Sequence, residues 1–356
     1  MCGDRITMTT SFKFVWLDDK PDRANGWQGG LQGELLGNPV DAQLDVIAIT
    51  ETLLRDGLND LSQEWSYDPP NLIMMDHNFA SVAQRPFDLQ GSALAHLIRI
   101  RFPKIPIVCV SGQSIQSDDF SIEDMSEYTD MFDVNTLSDE KNQEHLFAIA
   151  NDFPRLFFPP KSAIREALID VLQAPDADRE SLLRIMPEEI EGTYVHGSSP
   201  HRIARWMLSV LMKRPGFLYD ELEAATFVGL NKKAFKEKTS EIFSPAKYKG
   251  PFATDSRPLW WATAMADALY SALPDSMAAS SQLAGRELPG IQPEDYSICA
   301  HTGESSPPPD VVAYTDASNR ELRAVSRQYT EIASTDSSAQ LGFPGRLRIR
   351  NDRRGA

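Results

Sequence analysis

Four side chains that carry oxygen ligands stand at the ends of apolar runs in this sequence. They are Asp18 and Asp19 after residues 12–17, Asp76 after residues 72–75, and Ser111 after residues 105–110. Three carboxylates that share a small site repel one another unless a cation compensates their charge. Oxygen-only ligands suit Mg²⁺, which takes one or two carboxylates together with waters and a phosphoryl group. The pattern therefore predicts a Mg²⁺ site that could act on a phosphoryl group.

The elements that must position these groups are clearest around Asp76. Two nearly continuous apolar runs, 72–75 and 105–110, flank a segment over 91–99 whose leucines and isoleucine share one helical face. A strand, a helix and a strand of such unbroken hydrophobicity indicate a parallel sheet buried on both faces. Ligands bind at the carboxyl ends of the strands in such sheets, and both Asp76 and Ser111 fall there.

The rest of the first half completes the same architecture. The sequence predicts a first strand over 12–18, a second strand over 44–49 with a helix over 51–65, and a weak fifth strand over 131–137 with a helix over 143–158. Glycines between residues 26 and 37 stand where a first helix would follow. Each glycine inside a helix costs about 1 kcal/mol relative to alanine, so we expect a shortened helix or a loop there. The predicted fold class is α/β, a doubly wound five-stranded parallel sheet followed by a mainly α-helical C-terminal region.

At these residues the chain resembles the receiver domain of two-component response regulators, over about residues 11–158. That family has an acidic pair after its first strand and a phosphoacceptor aspartate after its third. Ser or Thr followed by a small residue ends the fourth. The resemblance implies that Asp76 accepts a phosphoryl group from a histidine kinase and also binds Mg²⁺.

The resemblance implies a role for each neighbouring group as well. Asp19 would bind Mg²⁺ together with the phosphoacceptor and the main-chain carbonyl of Asn78, while Asp18 would support the waters of the metal. Ser111 would hydrogen-bond a phosphoryl oxygen, and Gly112 would leave room for it.

The chain departs from the family in one charged group. The family ends its fifth strand on a lysine followed by proline, and that lysine pairs with the phosphoryl group. The candidate fifth strand over 131–137 has no lysine, so Asn135 or Thr136 would occupy that neighbourhood, and Lys141 lies several residues further on. A neutral hydrogen bond is roughly half as strong as a charge-assisted one. We therefore expect phosphorylation to cause only a small conformational change.

Composition and charge limit the class of protein. The 356 residues suffice for two domains, and a hydrophobic fraction of 42% supports ordinary folded cores. The net charge of −16 disfavours broad nucleic-acid affinity, which depends on Lys and Arg. The three cysteines lie far apart and predict neither a disulfide framework nor a metal-binding pair. Because the sequence shows no signal leader and no apolar run of about 18 residues, we expect a cytoplasmic location and no membrane partner.

The predicted domain organisation has five parts. They are a disordered leader over 1–10, the receiver-like domain over 11–158, a helical domain over 161–273, a Pro/Ser-rich linker over 274–309, and a small αβ segment with a basic tail over 310–356. The tandem Pro159-Pro160 marks the end of the receiver-like domain. In the last part we expect a strand over 310–314 and a helix over 319–332.

One stretch of the helical domain fits two structures. Residues 218–240 read as a helix, a glycine-centred turn and a second helix that bears lysines. This is typical of a DNA-binding helix-turn-helix or of an αα-hairpin within a bundle. In the first case Lys232, Lys233 and Lys236 would contact DNA. The hairpin is favoured because base edges are usually read by Arg, Asn or Gln, and the second helix offers only lysines.

Three functional hypotheses follow. The first is a two-component signalling protein of a phosphorelay, not an enzyme, with Mg²⁺ as cofactor and a histidine kinase as donor. Its helical region would be an output module that contacts a protein partner. The second is a DNA-binding response regulator. The third is a pseudo-receiver, a docking scaffold whose carboxylates are not phosphorylated.

Overall fold

The computed structural model describes residues 10–27, 30–50, 53, 58–77, 79, 91–112, 127–158, 163–190, 200–305, 310–314, 321–332 and 347–350. In the first half of the chain strands alternate with helices, and in the second half four strands follow a series of mostly helical elements. The strands are β1 Thr10–Asp18, β2 Leu31–Leu35, β3 Asn38–Ala48, β4 Leu72–Met75, β5 Ile107–Ser111, β6 Asp130–Asp133, β7 Leu218–Tyr219, β8 Trp260–Trp261, β9 Asp310–Tyr314, β10 Leu322–Ser326, β11 Thr330–Ile332 and β12 Leu347–Ile349. The α-helices are α1 Leu58–Tyr67, α2 Gly91–Arg101, α3 Glu140–Asp152, α4 Ile164–Leu172, α5 Asp176–Ile185, α6 Pro200–Trp206, α7 Glu221–Phe227, α8 Lys232–Lys238, α9 Ser240–Phe243, α10 Ala262–Ala272 and α11 Ser281–Arg286.

The chain forms two compact units, and neither is a single run of sequence. Unit 1 comprises Met1–Val171, Pro187–Leu208 and Gly250–Ser256, and unit 2 comprises Leu172–Met186, Ser209–Lys249 and Arg257–Ala356. The boundary predicted at Pro159-Pro160 and the leader before Thr10 lie outside the described residues.

Unit 1 is built on a sheet with strand order β2-β3-β1-β4-β5-β6. The five strands from β3 to β6 are parallel, and β2 is an antiparallel edge strand. Alternate residues of a strand point to opposite faces. Accordingly, Val15 and Leu17 join a core with residues of α1 and α2, whereas the rings of Phe12 and Phe14 pack on Phe147 of α3. Both faces of the sheet are therefore covered, and the predicted doubly wound α/β class is confirmed.

The segment after β1 forms a 3₁₀ helix and a β-hairpin in place of a first α-helix. A 3₁₀ helix, Pro21–Trp27, leads into the hairpin β2–β3. Leu36 and Gly37 form its two-residue loop, and both have positive φ, as a type I′ turn requires. Glycine meets that requirement without strain.

The fifth parallel strand is shorter than expected. β6 ends at Asp133, and residues 134–136 of the strand predicted over 131–137 form a 3₁₀ helix. The carboxylate of Asp133 caps this turn by accepting the backbone N–H of Asn135 at 2.9 Å. Aspartate is a preferred residue at such a cap, so the strand ends where the cap begins.

A distant segment of sequence, Gly250–Ser256, packs on α3 within unit 1, and we call it the strap. Glu144 accepts the backbone N–H groups of Asp255 and Ser256 at 2.7 and 2.9 Å. Asp152 accepts the N–H of Phe252 at 2.7 Å. These two buried carboxylates lie on one face of α3, two turns apart, and hold the strap through its main chain.

Unit 2 corrects two expectations from the sequence. The predicted linker over 274–309 contains α11, and Ala284, Leu288 and Cys299 within it are buried in cores, so its described part is folded. The helix predicted over 319–332 is wrong, because β10 and β11 occupy its described part. The apolar residues of β10 gain ladder pairs with β9, while Val325 enters a small core, and this tertiary pairing outweighs local helix propensity.

Candidate functional site

The sheet of unit 1 brings four predicted residues to one edge. Asp18 is the last residue of β1 and Asp19 follows it, Asp76 follows β4, and Ser111 is the last residue of β5. The strands β1, β4 and β5 are parallel neighbours in that order, and the N–H of Asp76 donates to the carbonyl of Leu17 at 3.1 Å. The carboxyl ends of these strands therefore meet, as the pattern predicts.

The three carboxylates form one cluster. One oxygen of each of Asp18, Asp19 and Asp76 lies within 4.8 Å of the others. Asp18 and Asp76 are only 1% and 3% exposed, and Asp18 also accepts the N–H of Lys20 at 2.7 Å. Carboxylates held this close in a buried edge favour a small divalent cation. An all-oxygen donor set fits Mg²⁺.

The end of β5 supplies a hydroxyl and an open main chain. Ser111 is buried at the end of β5, the strand next to β4. Among the described residues, a Cβ placed on Gly112 would meet Val134 Cγ1 alone, at 3.6 Å, which is an ordinary contact. Two residues before Ser111, burial raises the pKa of the Cys109 thiol, and the charge of Asp76 raises it further. Cys109 therefore remains a neutral core thiol, as its apolar strand predicts.

The residue opposite Ser111 is an acid. In the parallel ladder of β5 and β6, Ser111 pairs with Asp133. This register puts Asp133, rather than Asn135 or Thr136, at the end of the fifth strand, where the resembling family has lysine. Lys141 lies in the first turn of α3 with an exposed side chain. The strand end therefore contributes a negative charge in place of a positive one.

Sequence reasoning missed a small cluster behind Asp76. The hydroxyl of Tyr128 lies 3.4 Å from Nδ1 of His77, and the N–H of Gly91 donates to the carbonyl of His77 at 2.7 Å. A Cβ on Gly91 would overlap the carbonyl oxygen of Asp76 and lie 2.7 Å from the Tyr128 hydroxyl. Glycine is therefore required where α2 begins. The one sign of this cluster in the sequence was the glycine at the start of the helix predicted over 91–99.

The remaining predicted residues fall elsewhere or outside the described part. Asn78, the predicted carbonyl ligand, lies outside the described residues, so its role stays a prediction. Lys232, Lys233 and Lys236 have exposed side chains on α8, in unit 2. Lys232 pairs with Glu221 of α7 at 3.3 Å. The pair α7–α8 turns at Gly229 and buries residues in a common core, an arrangement that suits an αα-hairpin as well as a helix-turn-helix.

Comparison with known proteins reveals similarity to receiver domains among solved structures. No family model and no curated protein matches the chain. The response regulator TrrA of Thermotoga maritima in complex with Mg²⁺-BeF is 15% identical, with 35% of this chain and 86% of that one covered, at a TM-score of 0.22. The receiver domain of the Francisella response regulator 1452 is 16% identical, with 38% and 96% covered, at a TM-score of 0.24.

A plant protein gives a similar result. The receiver domain of the Arabidopsis thaliana histidine kinase CKI1, in an alanine variant, is 18% identical, with 37% of this chain and 85% of that chain covered, at a TM-score of 0.24. Identities and scores this low transfer no chemical role from these proteins to this chain. The chemistry of the site is therefore inferred only from the residues of this chain. Within the described residues, no helix is both long and apolar enough to span a membrane.

Proposed function

We propose that unit 1 acts as a phosphoacceptor domain in two-component signalling, with Asp76 as the acceptor and a histidine kinase as the donor. The observation that carries the proposal is the cluster of Asp18, Asp19 and Asp76 at the strand ends, with Ser111 at the end of the neighbouring strand. It combines a buried nucleophilic carboxylate, a donor set for a divalent cation and a hydroxyl at one edge.

In the proposed reaction, a carboxylate oxygen of Asp76 attacks the phosphorus of a phosphohistidine. The new P–O bond forms as the P–N bond breaks, and the imidazole leaves with that electron pair. Asp19, Asp76 and the carbonyl of Asn78 would hold Mg²⁺, which when bound neutralises the charge of the phosphoryl oxygens. Asp18 would support the waters of the metal, and the hydroxyl of Ser111 would donate to a phosphoryl oxygen.

The charge of Asp133 determines how large a conformational change the phosphorylation of Asp76 would cause. A ligand shifts a conformational equilibrium only by the difference in its interactions with the two states. A lysine at the end of β6 would pair with the phosphoryl group, whereas the carboxylate of Asp133 repels it. The proposed domain therefore stores a phosphoryl group or binds its partner constitutively. Its partner would be a protein that contacts the helical part of the chain.

The test is phosphorylation of the full chain by acetyl phosphate with Mg²⁺, followed by intact-mass analysis. We expect one labile phosphoryl group on the wild-type protein and none on Asp76→Asn. Asp19→Asn should require far more Mg²⁺ for the same labelling. Asp68→Asn is the matched control, because this exposed carboxylate pairs with Lys13 outside the cluster. Absence of labelling in the wild-type protein would contradict the proposal and favour a docking scaffold that is not phosphorylated.

A further inference from the structure

A cavity lies within unit 2, between α7 and the sheet whose strand order is β10-β9-β12-β11. Its volume is about 240 Å³, slightly below the ~300 Å³ at which sites for drug-sized molecules begin. Most of the wall is apolar. These apolar residues are Pro215, Phe227, Val311, Val312, Leu322 and Leu347. The cavity therefore suits a body of one ring or a short chain.

Two of the polar residues in the wall are used by the fold. The side-chain amide of Gln282 exchanges hydrogen bonds with the main chain of Asp310 and also donates to the carbonyl of Thr226. The carboxylate of Asp310 accepts the hydroxyl of Ser297 and lies 3.8 Å from the guanidinium of Arg286. These contacts fasten the start of β9 to α11, so neither residue is assigned to a ligand.

The hydroxyl of Thr226 is the polar group of the wall that points to a ligand. The hydroxyl of Thr226 makes no hydrogen bond to any described residue, although the side chain is only 3% exposed. A buried hydroxyl without a partner is costly, and a ligand would relieve that cost. Glu223 adds a carboxylate to the same wall, one oxygen of which accepts the N–H of Asp220 in the capping box of α7 while the group keeps its negative charge, and Tyr219 adds a phenol. Burial raises the pKa of Tyr219, with a further contribution from the charge of Glu223, so the phenol stays neutral.

The charge of the wall selects the sign of the ligand. No lysine, arginine or histidine is among the described residues that line the cavity, and its ionisable groups are two carboxylates and the phenol. The rings of Tyr219 and Phe227 lie 5.4 Å apart, tilted by 45°. Aromatic faces beside a carboxylate attract a cation, whereas the carboxylate of Glu223 would repel an anion.

We propose that this cavity binds a small primary amine with an aromatic or short aliphatic body. Its ammonium group lies beside the carboxylate of Glu223 and the hydroxyl of Thr226, and its body packs on Val312 of β9. This site is independent of the acidic cluster of unit 1, and its ligand class does not depend on phosphorylation.

The test is calorimetric titration of the full chain with 2-phenylethylamine, and with phenylacetate as an anion of the same shape. We expect saturable binding of the amine, with a dissociation constant of about 1 mM or below, and no binding of phenylacetate. Glu223→Gln should weaken the amine about tenfold or more, the value of a charge-assisted hydrogen bond. Glutamine can still serve in the capping box at the start of α7, so the helix is retained.

Two further variants separate a lost site from a lost fold. Glu221→Gln, on the same turn of α7, should bind the amine as the wild-type protein does, because Glu221 pairs with Lys232 and does not line the cavity. Val312→Trp should fill the cavity and abolish binding. Equal binding of phenylacetate, full binding by Glu223→Gln, or no binding of the amine to the wild-type protein would overturn the proposal. The comparison of the two ligands on the wild-type protein tests the sign of the ligand's charge, and the Glu223→Gln and Val312→Trp variants test its position.

Discussion

The stability of unit 1 should depend on pH through one buried histidine, His201 of α6. Its side chain is among the buried polar groups, with Nδ1 3.5 Å from the hydroxyl of Thr129 and its ring edge-to-face with Phe153 at 4.8 Å. Nε2 makes no hydrogen bond with the described residues. Burial, followed by the positive charge of Arg99, lowers the pKa of His201 from 6.5 to about 3.

The sign and size of the effect follow from proton uptake by the unfolded chain. Above pH 6.5 His201 is neutral in both states and makes no pH-dependent contribution. Below pH 6.5 the unfolded chain binds a proton that the folded protein refuses, so the free energy of unfolding falls until the pH reaches about 3. Each pH unit is worth about 1.4 kcal/mol, so the loss between pH 6.5 and pH 5 is about 2 kcal/mol.

Urea unfolding at pH 7 and pH 5 measures this contribution when the wild-type protein is compared with His201→Gln. The variant should lose about 2 kcal/mol less stability over that interval, because glutamine does not titrate. Phe153→Leu is the control, since it removes the ring contact without removing a titrating group. It should lower stability by similar amounts at both pH values. Equal pH dependence in the wild-type protein and His201→Gln would refute the assignment.

Three other substitutions test the site and the strap. Gly91→Ala should lower the free energy of unfolding by about 1–3 kcal/mol, because the new Cβ would overlap the main-chain carbonyl of Asp76. The same overlap should reduce the phosphorylation of Asp76. Gly26→Ala, whose Cβ meets none of the described residues within 4 Å, is the control, and equal melting temperatures of the two variants would contradict the overlap. Glu144→Gln leaves one oxygen for two strap N–H groups, so a loss of about 2 kcal/mol is expected. Glu140→Gln, at an exposed position of the same helix, should lower the free energy of unfolding far less. If the strap amides exchange no faster in Glu144→Gln than in the wild-type protein, Glu144 does not hold the strap. Asp133→Lys should enlarge the amide-exchange changes that beryllofluoride with Mg²⁺ causes over 130–140. Asp133→Asn is its control, and changes of that size already present in the wild-type protein would contradict the reasoning.

The central sheet could be predicted because its sequence pattern has one physical solution. Runs such as Leu72–Met75 and Ile107–Ser111 are buried in full, and only a sheet covered on both faces buries every residue of a strand. Asp18 ends β1, Asp76 follows β4 and Ser111 ends β5, so the position of the candidate site followed from the fold. The doubly wound order places the ends of neighbouring strands together without any further information.

Other elements depend on contacts that no local pattern records. β10 is a strand because β9 pairs with it, although its sequence also suits a helix. The strap belongs to unit 1 because Glu144 and Asp152 of α3 accept its N–H groups from 100 to 112 residues away along the chain. His77, Gly91 and Tyr128 gained their importance only once the structure put them behind Asp76.

The acid at the end of β6 illustrates why chemistry is harder to predict than fold. Asp133 is only partly buried at the end of β6, so an acid in place of a lysine at this position changes little in the apolar packing of the strand. The cap that Asp133 makes to Asn135 even fixes the length of the strand. Yet the same exchange reverses the local charge beside Ser111 and adds to the negative charge of the sheet edge that holds Asp18, Asp19 and Asp76. An edge with this charge attracts a divalent cation and repels a phosphoryl dianion that is not compensated. Phosphorylation at Asp76 should therefore depend on the cation more steeply than in a domain that retains lysine.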